Sequence, residues 1–268
     1  MPRRARLDAE LVRRGLARSR EHASELIAAG RVTVRGAVAS KSATGVETDA
    51  AVVVKDAEDD PNWASRGAHK LLGALAAFPV PVDGRRCLDA GASTGGFTDV
   101  LLRHGAAQVV AADVGRGQLI WRLQNDVRVV IKDRTNARAI TPDDIGGLVD
   151  LVVADLSFIS ARLVLPALAG CLRPDGDLLP MIKPQFEVGK ERLGSGGVVR
   201  DPDLRVEVVS RVLVAAGELG LDLRGVVASP LPGPSGNVEY FAWLRRGDPR
   251  ADTEVTALVR AAVEEGPQ

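Results

Sequence analysis

The apolar run Cys87-Leu88-Asp89-Ala90 breaks at Gly91 into Ala92-Ser93-Thr94-Gly95-Gly96 and resumes at Phe97 with helical spacing. Such a turn joins a buried strand to a helix, and its missing side chains let a ligand approach the backbone closely. A strand that feeds a helix in this way belongs to a sheet in which strands and helices alternate. Beyond residue 67 the chain alternates in that fashion: CLDAG, VVAADV, VRVVI, LVDLVVAD and DLLPMIK read as strands, with GGFTDVLLRHG and GQLIWRLQN as helical stretches between them. The tail adds a helix near 202–219, a strand near 221–228, a further strand EYFAWLRR and a last helix from about 252. The expected class is therefore α/β, a mostly parallel, doubly wound sheet with a late antiparallel hairpin and its ligand at the carboxyl ends of the strands.

The first sixty residues follow a different pattern. LDAELVRRG reads as a short helix closed by Gly15, and Ser19 is placed to cap a second helix, REHASELIAAG, closed by Gly30. Two alternating runs, RVTVRG and AVVVK, predict a small sheet. The pattern R-L-D-x-x-L-V-x-R-G-L-A-x-S-R-x-x-A-x-x-L-I-x-x-G-x-V-x-V-x-G across residues 6–36 resembles the S4 RNA-binding domain, an α+β module. We expect this domain over 1–59, a linker over 60–66, within the stretch 56–67 where acids, Pro61 and Ser/Gly cluster, and the α/β domain over 67–268. Within the linker, Trp63 reads equally as a docking anchor or a satellite core residue.

Net charge is zero, yet residues 1–41 carry ten basic side chains against four acids, and residues 42–60 carry six acids against one lysine. A basic module before an acidic connector fits a nucleic-acid partner, although charge alone also fits a solvated helical face. Cys87 and Cys171 are far apart and form no C-x-x-C pair, which fits a reducing, cytoplasmic setting. No export signal follows the basic N-terminus, and no uncharged apolar run approaches the roughly 20 residues of a membrane span. The histidines His22, His69 and His104 are scattered, so no metal is expected; His69 is the one to watch, being next to Lys70.

At the glycine turn, Ser93 stands where a G-x-G-x-x-G motif has its second glycine, and no P-loop lysine follows. Asp89 beside the loop would repel a pyrophosphate but suits the amino and sulfonium charges of S-adenosylmethionine. Asp113, twenty-two residues past Gly91 at the end of the second strand, suits ribose hydroxyls. The candidate cofactor residues are Asp89, Gly91, Ser93, Gly95, Gly96, Phe97 and Asp113.

Four ionisable residues fall where this fold builds its site: Lys70 in a helix before the first strand, Asp155 and Lys183 closing two later strands, and Glu239 opening the last. Taken one at a time, each also reads as a solvated or capping residue. Jointly, this K-D-K-E set, with L-D-A-G-A-S-T-G-G-F and D-L-S-F-I-S, resembles the ribose 2′-O-methyltransferases. R-G-A-H-K, K-P-Q-F-E, P-G-P-S-G-N-V-E-Y-F and the S4-like front end narrow the resemblance to the TlyA family, historically called haemolysins, over essentially the whole chain. The resemblance implies a Rossmann-like class I methyltransferase domain, S-adenosylmethionine as cofactor, and cytidine ribose of ribosomal RNA as substrate. The long N-terminal arm and C-terminal helix resemble the family's longer form, which implies action on both the 30S and 50S subunits.

Lys183 is the candidate base for the 2′-hydroxyl and must be neutral to act so; Lys70 and desolvation favour that state, while Asp155 and Glu239 oppose it. Phe158 is a candidate platform for an extruded base, against the commoner fate of a core phenylalanine. Arg4, Arg6, Arg18, Arg20, Lys41, Arg66, Arg134, Arg138 and Lys190 are candidate RNA contacts, and GKERLGSGGVV over 189–199 reads as a mobile loop that orders on RNA. Three other readings compete: an S4-type assembly factor without catalytic activity, a membrane-active haemolysin, and a nicotinamide-dependent dehydrogenase. Binding of S-adenosylmethionine and not of NAD excludes the last.

Overall fold

A computed structural model describes residues 4–17, 19–54, 62–233 and 235–267, and the contacts within the chain separate it into two units, Met1–Asn62 and Trp63–Gln268. The first unit runs β1 (Arg4–Arg6), α1 (Leu7–Arg13), α2 (Arg20–Ala28), β2 (Val32–Val34), β3 (Ala37–Val38), β4 (Gly45–Glu47) and β5 (Val52–Val54). Leu7 and Leu11 share one face of α1, and Ala23, Leu26 and Ile27 share one face of α2; with Val32 and Val46 they form one buried cluster. The Ser19 hydroxyl accepts the His22 amide and caps α2. β2 pairs antiparallel with β3 and β5, while β1 pairs with β4. Arg18 lies outside the described residues.

The second unit runs α3 (Gly67–Ala77), β6 (Arg86–Ala90), α4 (Gly96–Arg103), β7 (Gln108–Asp113), α5 (Trp121–Gln124), β8 (Val129–Asp133), α6 (Pro142–Ile145), β9 (Val149–Ala154), α7 (Ala161–Gly170), β10 (Leu172–Ile182), α8 (Pro184–Glu187), α9 (Pro202–Gly217), β11 (Leu221–Ala228), β12 (Tyr240–Arg246) and α10 (Asp252–Glu265). Its described strands form one seven-stranded sheet in the order β11-β12-β10-β9-β6-β7-β8. The strands from β10 to β8 are parallel, and β12 lies antiparallel between β10 and β11.

Strand periodicity sorts the core into two layers. Leu88, Val110 and Val152 face the cluster that includes α7, α9 and α10, while Cys87, Val109, Leu151 and Val153 face the cluster built on α3 and α4. Both faces are covered, which is why these strands read as continuous apolar runs. Strand order reverses between β6 and β9, and the crevice outside their carboxyl ends is where an open α/β sheet binds its ligands. The Asp155 amide, just past β9, donates to the Ala90 carbonyl at the end of β6 at 3.1 Å and closes the floor of that crevice.

Two elements differ from the sequence expectation. The helix expected over GQLIWRLQN forms only from Trp121 to Gln124, because Ile120 is extended, while Leu119 and Leu123 are buried against Gly95. β10 starts five residues before the expected DLLPMIK and carries a register irregularity against β9 between Leu172 and Asp177. Among the described residues no helix is long and apolar enough to cross a membrane.

Candidate active site

The crevice gathers Lys70, Asp155, Lys183 and Glu239 from four separate stretches of chain. Lys70, buried on α3, donates to Glu239 Oε2 at 2.6 Å and lies 3.7 Å from Asp155 Oδ2. Lys183, which follows β10, sits 2.5 Å from Asp155 Oδ1 and 3.9 Å from Glu239 Oε1, and donates to Ser157 Oγ at 3.3 Å. Glu239 is 1% exposed, and Gln185 Nε2 also donates to its Oε1 at 3.1 Å. Two lysines and two carboxylic acids thus meet in a largely buried cluster whose formal charges balance, the condition under which buried ionisable groups are tolerated. Deleting one member would leave an uncompensated charge, a loss of about 3–5 kcal/mol for pairs of this kind.

The glycine turn packs against this cluster. Gly91 has φ +88, and a Cβ there would stand 2.5 Å from the Asp155 carbonyl oxygen. Gly95 has φ +100, and a Cβ there would meet Leu123 and Leu119; at Gly96 it would meet Ser65 Oγ and the Ala68 amide nitrogen. Phe97 is buried beneath the turn, its ring 5.9 Å from that of Phe241. Asp113 fixes the loop: its two oxygens accept the Ser93 amide at 2.8 Å and the Gly115 amide at 2.7 Å.

Asp89, expected beside the loop as a partner for cationic groups, lies in the interior. It is wholly buried, Thr98 Oγ1 donates to its Oδ2 at 2.7 Å, and its Oδ1 has no hydrogen-bond partner among the described residues. Burial pushes its carboxyl up to about 7, against the Thr98 hydrogen bonds, which pull it down. An unpaired buried acceptor beside a glycine turn fits a ligand that brings a cationic donor, as the amino group of S-adenosylmethionine does.

The segment after β9 is held open by the turn after β10. Glu187 accepts the Ser160 hydroxyl and the Ala161 amide, both at 2.6 Å, and so caps the start of α7 from another part of the chain. Its own carboxyl is raised by burial, with these two hydrogen bonds opposing. Between Asp155 and Ser160 stands Phe158, 91% exposed, in the left-handed region at φ +63, its ring centroid 5.4 Å from that of Phe186. The core fate weighed from sequence does not hold for this residue. A bulky side chain in that conformation is strained, and such strain gathers at functional sites.

Among the candidate RNA contacts, Arg4, Arg6, Arg20 and Lys41 are exposed on the first unit. Arg66, Arg134, Arg138 and Lys190 are exposed on the second, Arg134 directly past β8 at the same sheet edge as the cluster. The end of the glycine-rich loop expected to be mobile is pinned by Asn237, whose side chain accepts the Val199 amide at 2.9 Å and donates to the Gly197 carbonyl at 2.8 Å. His69 is exposed. Trp63 packs on the core of the second unit, with the Arg103 guanidinium 4.4 Å from its ring centroid. Ser157, Gln185 and Glu187 were not singled out from sequence, although all three lie inside D-L-S-F-I-S and K-P-Q-F-E; the strand-end lysine and acid in those motifs were the only signal pointing to them.

The FtsJ-like methyltransferase family matches residues 63–246, and the S4 domain matches residues 5–52. The chain is 63% identical, over the full length of both proteins, to the 16S/23S rRNA (cytidine-2′-O)-methyltransferase TlyA of Mycobacterium tuberculosis. It is 39% identical to the putative rRNA methyltransferase YqxC of Bacillus subtilis, over 97% of this chain and 94% of that one. A solved structure, a putative hemolysin from Streptococcus thermophilus, superposes with a TM-score of 0.76 at 36% identity, covering 99% of this chain and 97% of the other.

Proposed function

We propose, from the premise that this chain belongs to the TlyA family of FtsJ-like methyltransferases, that it methylates the ribose 2′-oxygen of cytidine in ribosomal RNA, acting on both the small and the large subunit in the cytoplasm. The observation that carries the proposal is the cluster of Lys70, Asp155, Lys183 and Glu239 beside the glycine turn at the sheet's switch point. Asp89, the turn from Gly91 to Gly96 and Asp113 are the residues that would hold S-adenosylmethionine, with Phe97 supporting the turn from beneath. Once bound, that cofactor supplies an electrophilic methyl group on a sulfonium.

The protein's own part is positioning and proton handling. Lys183 takes the proton of the 2′-hydroxyl, with Asp155 and Ser157 fixing the direction of its Nζ. Lys70 holds Glu239, the second carboxyl group within 4 Å of Lys183. Phe158 offers its exposed face to the base of the target nucleotide. The basic side chains of both units take the phosphate backbone.

The test is tritium transfer from labelled S-adenosylmethionine to purified 30S and 50S subunits, followed by nucleoside analysis. We expect 2′-O-methylcytidine from the wild type and a loss of at least about 100-fold with Lys183→Ala, the scale of a general base. Folded protein that binds the cofactor yet labels neither subunit would favour the RNA-binding assembly factor instead. A Lys183→Ala protein with wild-type turnover would remove Lys183 as the base.

A further inference from the structure

Two arrangements of arginine in the first unit contrast: Arg14 on Glu10, and the pair Arg6 and Arg20 on Asp8. Arg14 is turned inward: its Nε donates to Glu10 at 2.6 Å, Nη1 to the Ala50 carbonyl at 2.7 Å and Nη2 to the Thr48 carbonyl at 3.0 Å. Only 20% of its side chain is exposed, and it braces the fold. Arg6 and Arg20 meet on Asp8 instead. Arg6 donates Nε to Oδ1 at 3.1 Å and Nη2 to Oδ2 at 2.9 Å, and Arg20 Nη2 donates to the same Oδ2, also at 2.9 Å.

Asp8 is 5% exposed at its side chain, whereas Arg6 and Arg20 keep 51% and 60% of theirs outward. The Ala9 amide adds a fourth donor at 2.8 Å, so the carboxylate is saturated and does not itself compete for a ligand's donors. The Arg6 hydrogen bond, opposed by burial and helped by Arg20, holds the Asp8 carboxyl far below the usual carboxylate range, which keeps it ionised. Without that charge the two guanidinium groups would repel each other. Arg20 also occupies the first position of α2, where the helix dipole disfavours a cation. The pair therefore stands together because Asp8 holds it, with the outer faces of both guanidinium groups turned to solvent.

We propose that Asp8 is a positioning residue for RNA binding, setting Arg6 and Arg20 side by side as a two-armed receptor for the phosphate backbone. The inference rests on the reading above that this unit binds ribosomal RNA. A planar guanidinium fixed on one side loses little freedom when its other face meets a phosphate, and that fixation is the gain Asp8 supplies.

The test is equilibrium binding of the full-length chain to purified 30S and 50S subunits across a range of KCl, for wild type, Asp8→Asn, the double variant Arg6→Ala/Arg20→Ala and the triple variant. Asparagine keeps an acceptor for the Ala9 amide but removes the charge, so simple electrostatics expects it to bind more tightly. Positioning expects the opposite. Asp8→Asn should bind about tenfold more weakly near 0.15 M salt, and the slope of log K against log [KCl] should flatten by about one phosphate contact. The substitution should have no further effect once Arg6 and Arg20 are gone, and Asp8→Glu should restore part of the loss.

Wild-type or tighter binding by Asp8→Asn, in the face of a weakened double variant, would overturn the positioning role and leave RNA binding by the unit intact. An equal loss in the triple variant would overturn it too, by showing that Asp8 acts through the fold. A double variant that binds like wild type would overturn the reading of Arg6 and Arg20 as RNA contacts, and the inference with it.

Discussion

Replacing Gly91 by alanine tests the join between the glycine turn and the cluster of Lys70, Asp155, Lys183 and Glu239. The new Cβ would stand 2.5 Å from the Asp155 carbonyl oxygen, whereas ordinary contact begins near 3.4 Å, so one side must move by about 0.9 Å. The backbone at Gly91, φ +88, adds about 1 kcal/mol for an L-residue, and the overlap adds about 2 kcal/mol more. For a unit of this size a loss of about 3 kcal/mol lowers Tm by about 6–12 °C. A displacement approaching 1 Å at Asp155 should also slow methyl transfer by about 100-fold.

Gly84 provides the control. It has φ +69 with nothing within 4 Å of an added Cβ, so Gly84→Ala bears the backbone strain alone, about 1 kcal/mol, and should turn over normally. Thermal melts and single-turnover labelling of subunits separate the two contributions. A Gly91→Ala protein that melts with Gly84→Ala and keeps its rate within threefold of wild type would refute the argument that the turn and Asp155 are mechanically joined.

Three further outcomes follow from buried and strained groups. Asp89 has a folded-state carboxyl raised to about 7, above its unfolded value of 3.8; its contribution to stability is complete below the lower value and is lost as pH rises through the upper one. Without cofactor, stability should therefore decline from about pH 4 to about pH 7 at this residue, and Asp89→Asn should remove that part of the profile in denaturant titrations at each pH. Because a cationic ligand favours ionised Asp89, S-adenosylmethionine should bind with proton release near pH 6 and tighten as pH rises to about 7; calorimetry in buffers of different ionisation enthalpy would register equal heats if this were wrong. Phe158→Ala should cut kcat/KM for subunits by about tenfold, the scale of one base–aromatic stack, with Tm unchanged, and Phe158→Gly should raise Tm by relieving φ +63 while losing the same activity. A lowered Tm in both variants would return Phe158 to a packing role.

What the sequence made legible follows from how each feature is encoded. The strands β6, β7 and β9 were readable because burial on both faces demands unbroken apolar runs, whereas Lys70, Asp155, Lys183 and Glu239 stood out only as a set, each alone reading as a solvated or capping residue. β1 and β4 were not, since three residues are too few to show alternation, and β1 reads Arg-Ala-Arg. The burial of Asp89 was hidden as well: it depends on Thr98, nine residues on, closing over it from α4. Glu187 looked like one more acid after a strand, and its role as cap for α7 exists only because two chain segments 26 residues apart meet. Long-range partners of this kind leave no local trace.

The ion pair between Lys70 and Glu239 links residues 169 positions apart, and Glu239 reaches its place only when β12 slots between β10 and β11. A chain emerging from synthesis can form the glycine turn, the parallel strands and even the Lys183–Asp155 pair while the site is still missing one of its two carboxylates. β12 pairs with β10 on one side and β11 on the other, so the place of Glu239 depends on both neighbours. On the proposed reading of the site, a chain whose β12 has not inserted would hold the glycine turn and lack the Glu239 carboxyl beside Lys70.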